Sequence, residues 1–141
     1  MELTQEYLKE ALHYDPETGI FMWREDRPES HFRDWRGRNG FLKNIKKTKS
    51  AGSVGTPDKR NPCAYMIIGL AGKQYKAHRL AWLWYYGCMP EEDIDHINLD
   101  TLDNRIANLR LSVDKLNHKN RSQYVSNKSG VTGVSWNSRT N

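Results

Sequence analysis

The spacing of apolar positions changes along the chain, and each change marks an element. Tyr7, Leu8, Ala11 and Leu12 share one face of a helix that Thr4 opens as N-cap. The stretch "DPETG" (15–19) is a turn, with Pro16 fixing φ and Gly19 free to take φ > 0, and "IFMWR" is the strand that follows. Further on, "AYMIIGLAGKQYKAHRLAWLWYYG" (64–87) predicts a hairpin running into a helix. Tyr65–Leu70 is one strand, "AGK" the turn and Gln74–Lys76 the return, and helix "HRLAWLWYYG" stops at Gly87. His78, at that junction, is expected to cap or pack. After it come a short strand in "EDIDHINL", a polar loop, a second strand in "NLRLSV", and a helix with Ser112 as N-cap and Asp114 in its first turn.

Two stretches lack this order. Residues 26–62 are rich in Arg, Lys, Gly, Ser and Pro, have little periodicity, and read as a long irregular connection anchored by Trp35, Phe41 and Ile45. The tail reads as a joint followed by one strand. The chain thus divides into residues 1–62 (helix, strand, basic segment), 63–124 (hairpin, helix, strand–loop–strand–helix) and 125–141.

Charge sharpens the picture. The 141 residues carry a net charge of +5, and 37% are hydrophobic, enough for a modest core. Arg33 to Arg60 is strongly basic, Glu91 to Asp103 is acidic without a Lys or Arg, and Arg105 to Lys128 is basic again. An acidic island between basic segments suits a cation held against a polyanion. Cys63 and Cys88 are single and far apart, so neither a zinc knuckle nor a disulfide scaffold is expected. No signal peptide or membrane span is legible, and a cytoplasmic setting is expected.

The acidic island also carries chemistry. Asp95 and His96 are adjacent, Asn108 follows twelve residues after the histidine, and Asn117 nine after that. On the expected helix, Val113, Leu116, Asn117 and Asn120 share one face, which aims Asn117 at the preceding strands, while His118 lies roughly 140° around from Val113. Asp95 and Asn117 offer oxygen donors of the kind that suit Mg²⁺ (or Mn²⁺). His96 is a candidate general base, because histidine exchanges protons near neutral pH. Asn108 can satisfy loop backbone groups and hold the histidine strand in place.

"DHINLDTLDNRIANLRLSVDKLNHKNR" resembles the HNH homing-type endonucleases of bacteriophages, in the H-N-N variant. His96, Asn108 and Asn117 match the three letters in turn, and Asp95 matches an additional metal ligand. "YKAHRLAWLWYYGCMPEEDIDHIN" and "HYDPETGIFMWR" resemble the segments that precede the motif. The resemblance implies an α+β fold: a ββα-metal (His-Me finger) core with an N-terminal helix and β-hairpin elements. It implies hydrolysis of double-stranded DNA with a divalent metal and no structural zinc, and leaves the oligomeric state open. Lys46, Lys47, Lys49, Arg105, Lys119, Asn120 and Arg121 are the expected DNA contacts, and the hairpin around Tyr65–Lys76 is the expected reader of sequence. "NKSGVTGVSWN" resembles the first strand of the DNA-binding module of plant ethylene-response factors. The alternatives are a DNA-binding protein that keeps the fold without catalysis, and a nuclease of RNA or structured DNA.

Overall fold

The computed structural model describes residues 2–60 and 62–112. Helix α1 (Gln5–Ala11) runs directly into strand β1 (Leu12–Tyr14), which pairs antiparallel with β2 (Phe21–Trp23). A 3₁₀ turn (Glu29–His31), helix α2 (Trp35–Ile45) and the short β3 (Ser53–Val54) lead to β4 (Met66–Leu70) and β5 (Lys73–Lys76). Helix α3 (Ala77–Tyr86), β6 (Ile94–His96), a 3₁₀ turn (Ile106–Asn108) and β7 (Leu109–Leu111) follow, so that the described residues form a mixed α/β arrangement. Among the described residues, the strands form two separate ribbons, β1–β2 and β6–β7, and one three-stranded sheet, β3–β4–β5.

Local chemistry accounts for most boundaries. The Thr4 hydroxyl accepts the Tyr7 N–H, which caps α1 as its sequence predicts. The helix stops at Ala11, one residue short of the expected face, because Leu12 turns extended to pair with Trp23. The β4–β5 hairpin closes through Ala71 and Gly72, at φ 51° and 74°. Two consecutive positive φ values are the mark of a two-residue turn whose twist matches its strands. Gly87 ends α3 at φ 85°, its N–H bonded to the Leu83 carbonyl.

Residues 26–62 correct the sequence reading. They hold an eleven-residue helix, a 3₁₀ turn and a sheet strand rather than an irregular connection. Asp34 caps α2 by accepting the Gly37 N–H at 2.9 Å. Phe41 packs edge-on against Trp23 and at a tilt against Phe32, and Ile45, one turn on, is buried. Arg27 lies over the rings of Trp23, Phe32 and Phe41, about 5 Å from each centroid. Trp35 is no anchor: it is 68% exposed.

One core joins the elements. Leu8, Ala11, Leu12, Tyr14, Ile68, Leu70, Leu80, Ala81 and Leu109 are among its buried members. Each fully covered aliphatic side chain there contributes about 1.5–3 kcal/mol. The N-terminal hairpin also braces the far end of the chain. The Tyr14 hydroxyl donates to the Asn104 carbonyl at 2.6 Å, and the Ile106 N–H donates to the Pro16 carbonyl at 3.2 Å. Gly19, at φ 73°, comes so near that an added Cβ would lie 2.5 Å from backbone atoms of Asn104 and Arg105. Tyr14→Phe leaves a buried carbonyl without its donor, so a loss of about 1–3 kcal/mol is expected. Thermal unfolding followed by circular dichroism checks it, and a wild-type Tm would remove the brace from the account.

Among the described residues, no helix is long and apolar enough to cross a membrane. The helix expected after Ser112 and the expected tail strand lie outside the described residues.

Candidate active site

Strands β6 and β7 pair with Ile94 opposite Leu111, Asp95 opposite Arg110 and His96 opposite Leu109. Alternation along a strand sends neighbours to opposite faces. His96 and Leu109 therefore share the inner face and are buried, His96 at 4% exposure. Asp95 and Arg110 share the other face, where the guanidinium donates to Asp95 Oδ2 from Nε at 3.0 Å and from Nη2 at 2.8 Å.

The loop between the strands is a run of side-chain-to-backbone turns. Asn98 Oδ1 accepts the Asp100 N–H, Asp100 Oδ1 accepts the Leu102 N–H, and Asn98 Nδ2 donates to Asp103 Oδ2. The Leu99 N–H donates to the His96 carbonyl at 3.0 Å, and Leu99 sits at φ 65°, a conformation that costs a side chain of this kind about 1–2 kcal/mol. The Thr101 hydroxyl ties the loop to the Ala64 carbonyl.

Asn108 holds this loop from beneath. Its Oδ1 accepts the Asn98 N–H at 3.0 Å, and its Nδ2 donates to Asn98 Oδ1 and to the Asp103 carbonyl, both at 2.9 Å. Its backbone carbonyl accepts the Ile97 N–H, next to the histidine. The buried asparagine thus sets where His96 leaves the strand.

Around the His96 ring stand three groups that sequence reading left out of the site. Asn104, 3% exposed, places Oδ1 3.4 Å from His96 Nε2 while its Nδ2 donates to the Leu102 carbonyl. With the amide oriented so, Oδ1 faces the ring as an acceptor. When Nε2–H donates to this oxygen, the Nδ1 lone pair is the one left to take a proton. The His78 ring meets His96 edge to face at 5.1 Å between centroids, and Tyr65 lies 6.4 Å away. Burial, with His96, Lys76 and Arg79 nearby, pushes the His78 pKa down to about 3, so His78 stands beside His96 as a neutral wall. The expected packing role for His78 agrees with this placement. For Asn104 the sequence holds no signal, since a buried loop asparagine and an exposed one look alike in it.

The expected DNA contacts are scattered. Lys46 and Lys47 are exposed at the end of α2, and Lys49 pairs with Glu25 at 2.8 Å. Arg105 clasps Asp103, with contacts of 2.8 and 2.6 Å, and holds that carboxyl at about pKa 2. Asn117, Lys119, Asn120 and Arg121 lie outside the described residues. Among the described residues, no group of three or more His, Cys, Asp or Glu side chains is placed to hold a metal. Asp95 remains as a hard oxygen donor of the kind Mg²⁺ takes, with both Arg110 contacts on one of its two oxygens.

Residues 75–119 match the family model described as HNH endonuclease. The match begins in β5, takes in α3 and the whole β6–β7 ribbon, and supports a nuclease of the HNH type. Such nucleases generally depend on a divalent metal, and their family implies a DNA substrate. No curated protein and no solved structure matches the chain.

Proposed function

We propose that the chain is a divalent-metal-dependent endonuclease that hydrolyses phosphodiester bonds of double-stranded DNA, of the phage homing type. The observation that supports this best is the His96 setting: a histidine buried on the inner face of a two-stranded ribbon, with Asn104 facing its Nε2 and Asn108 fixing the loop it opens. His96 takes a proton from the attacking water at Nδ1, the nitrogen that the Asn104 contact leaves unprotonated. Asn108 acts by holding the loop, and Asn104 by orienting the ring. Asp95 and Asn117 supply the oxygen donors for Mg²⁺ or Mn²⁺, which when bound offers Lewis-acid stabilisation of the charge developing at the phosphate. Lys46, Lys47, Lys49, Arg105, Lys119 and Arg121 neutralise phosphates, and the Asn120 amide donates a hydrogen bond to the DNA backbone.

The pair between Asp95 and Arg110 favours a second reading, a DNA-binding protein without catalysis, because the guanidinium already satisfies part of the carboxylate. Supercoiled plasmid incubated with the protein in Mg²⁺ or in EDTA separates the two. Nicked or linear product in Mg²⁺ alone supports the nuclease, and intact plasmid with a retarded band supports the second reading.

Asn117 and His118 compete as the last letter of the motif. Asn117→Ala is expected to be nearly inactive and to need more Mg²⁺, and His118→Ala to keep most activity. Asn117→His is expected to shift preference toward Mn²⁺ or Ni²⁺, because imidazole replaces an oxygen donor. Nicking by the variants across a metal titration checks this; a dead His118→Ala beside an active Asn117→Ala reverses the assignment.

A further inference from the structure

Helix α2 has two unlike faces. Phe41 and Ile45 turn inward, where Ile45 is buried. At about 100° per residue, Arg36, Asn39, Lys43 and Lys46 fall within one outward arc of roughly 80°, and all four are exposed. Its sequence, "WRGRNGFLKNI", contains no Asp or Glu. The other arginine, Arg38, is turned aside and tied to Glu29 at 3.1 Å. Gly40 lies beside the stripe, and a Cβ added there would meet nothing within 4 Å, so the backbone on this side is bare. Trp35 stands exposed at the head of the helix with the Arg36 guanidinium 5.3 Å from its ring centroid.

Each feature is costly or idle within the fold. Uncompensated cations along one helix face repel one another, and an indole in water returns no burial energy. A polyanion reverses both. The major groove of B-form DNA, about 12 Å wide, admits an α-helix; there the donor and acceptor of an asparagine amide match the adenine edge, and the paired donors of arginine match the guanine edge.

We propose that α2 is a groove-reading helix for duplex DNA: Arg36 and Asn39 face base edges, Lys43 and Lys46 take the flanking phosphates, and Gly40 lets the backbone approach closely. The sequence reading gave this task to the β4–β5 hairpin. That hairpin offers Lys73 and Gln74 as exposed residues at its turn, without a comparable stripe. The inference rests on the nuclease reading for its ligand, DNA, and its test does not depend on cleavage.

Binding of the full chain to a fluorescent DNA duplex is measured by anisotropy in EDTA, as salt is raised. Arg36→Ala/Lys43→Ala/Lys46→Ala is expected to bind at least about tenfold more weakly and to flatten the slope of log K against log salt by roughly 2, at about 0.9 for each of the two phosphates. Alanine favours helix, so far-UV circular dichroism should match wild type. Selection from a randomised DNA duplex is expected to enrich a motif with wild type, and Asn39→Ala to lose the preference at one or two adjacent pairs. Duplex RNA should compete poorly, because the deep, narrow A-form major groove excludes a helix. The proposal is overturned by an unchanged slope, by no enriched motif or the same motif with Asn39→Ala, by equal competition from RNA, or if Lys73→Ala/Gln74→Ala rather than the stripe variant takes the slope and motif. Absence of plasmid nicking by wild type in Mg²⁺ strikes the nuclease reading and leaves these binding results standing.

Discussion

His96→Ala is expected to lower plasmid nicking by about 10²–10⁴-fold, the usual share of a general base, and to leave duplex affinity in EDTA unchanged. The ring packs against His78, Tyr65 and Asn104, and its proposed task is to take a proton from water rather than to anchor a phosphate. Removing it also opens a cavity, so a folding defect has to be separated from lost chemistry. The cavity itself supplies the means, since free imidazole fits the space vacated. Nicking by His96→Ala that rises with imidazole concentration assigns the loss to the missing base. A variant that cuts at the wild-type rate removes His96 from the mechanism.

The second large effect concerns stability. Asn108→Ala deletes three hydrogen bonds, stranding the Asn98 N–H and the Asp103 carbonyl under the loop. At about 1 kcal/mol for each of the three lost hydrogen bonds, a total loss of about 3 kcal/mol is expected, which lowers Tm by roughly 10 °C in a chain of this size. Nicking should fall with it, because Asn98 and Leu99 set the exit of the His96 strand. Asn108→Asp keeps the acceptor for the Asn98 N–H and loses the donors, and it sets a carboxylate near that of Asp103. The new carboxyl group is favoured in its protonated form on folding, which raises its pKa, so its deficit should shrink as pH falls and grow as pH rises. Calorimetry of both variants at two pH values checks this; a deficit that ignores pH would show that Asn108 fills space rather than bonds.

The legibility of the chain follows the range of the interactions involved. Turns and caps are local, so Thr4, Gly87 and the "AGK" hairpin are plain from the residues themselves. The β6–β7 ribbon around Asp95 and His96 is legible too, because its apolar alternation is short and bounded by a polar loop. Helix α2 was hidden by Gly37 and Gly40, poor helix formers, and by an apolar face reduced to little more than Phe41 and Ile45. The Asp34 cap and that i, i+4 pair were the available signals. Strand β1 was hidden for the opposite reason: Leu12 continues the apolar face of α1 and is claimed by β2 only in three dimensions. Within the candidate site, the place of His78 beside His96 depends on a contact between α3 and β6, and that of Asn104 on a loop held by Tyr14, neither of which any spacing encodes.

Tyr14 and Asn104 are 90 residues apart in sequence, and their hydrogen bond has a consequence for how the molecule comes into being. A contact of such wide sequence separation is non-local, the kind whose formation slows folding. During synthesis the hairpin emerges early and waits for a partner that the ribosome delivers much later. The residues matched as a nuclease segment would, if excised, lose the Tyr14 brace. The N-terminal hairpin thus supports a loop that is made long after it.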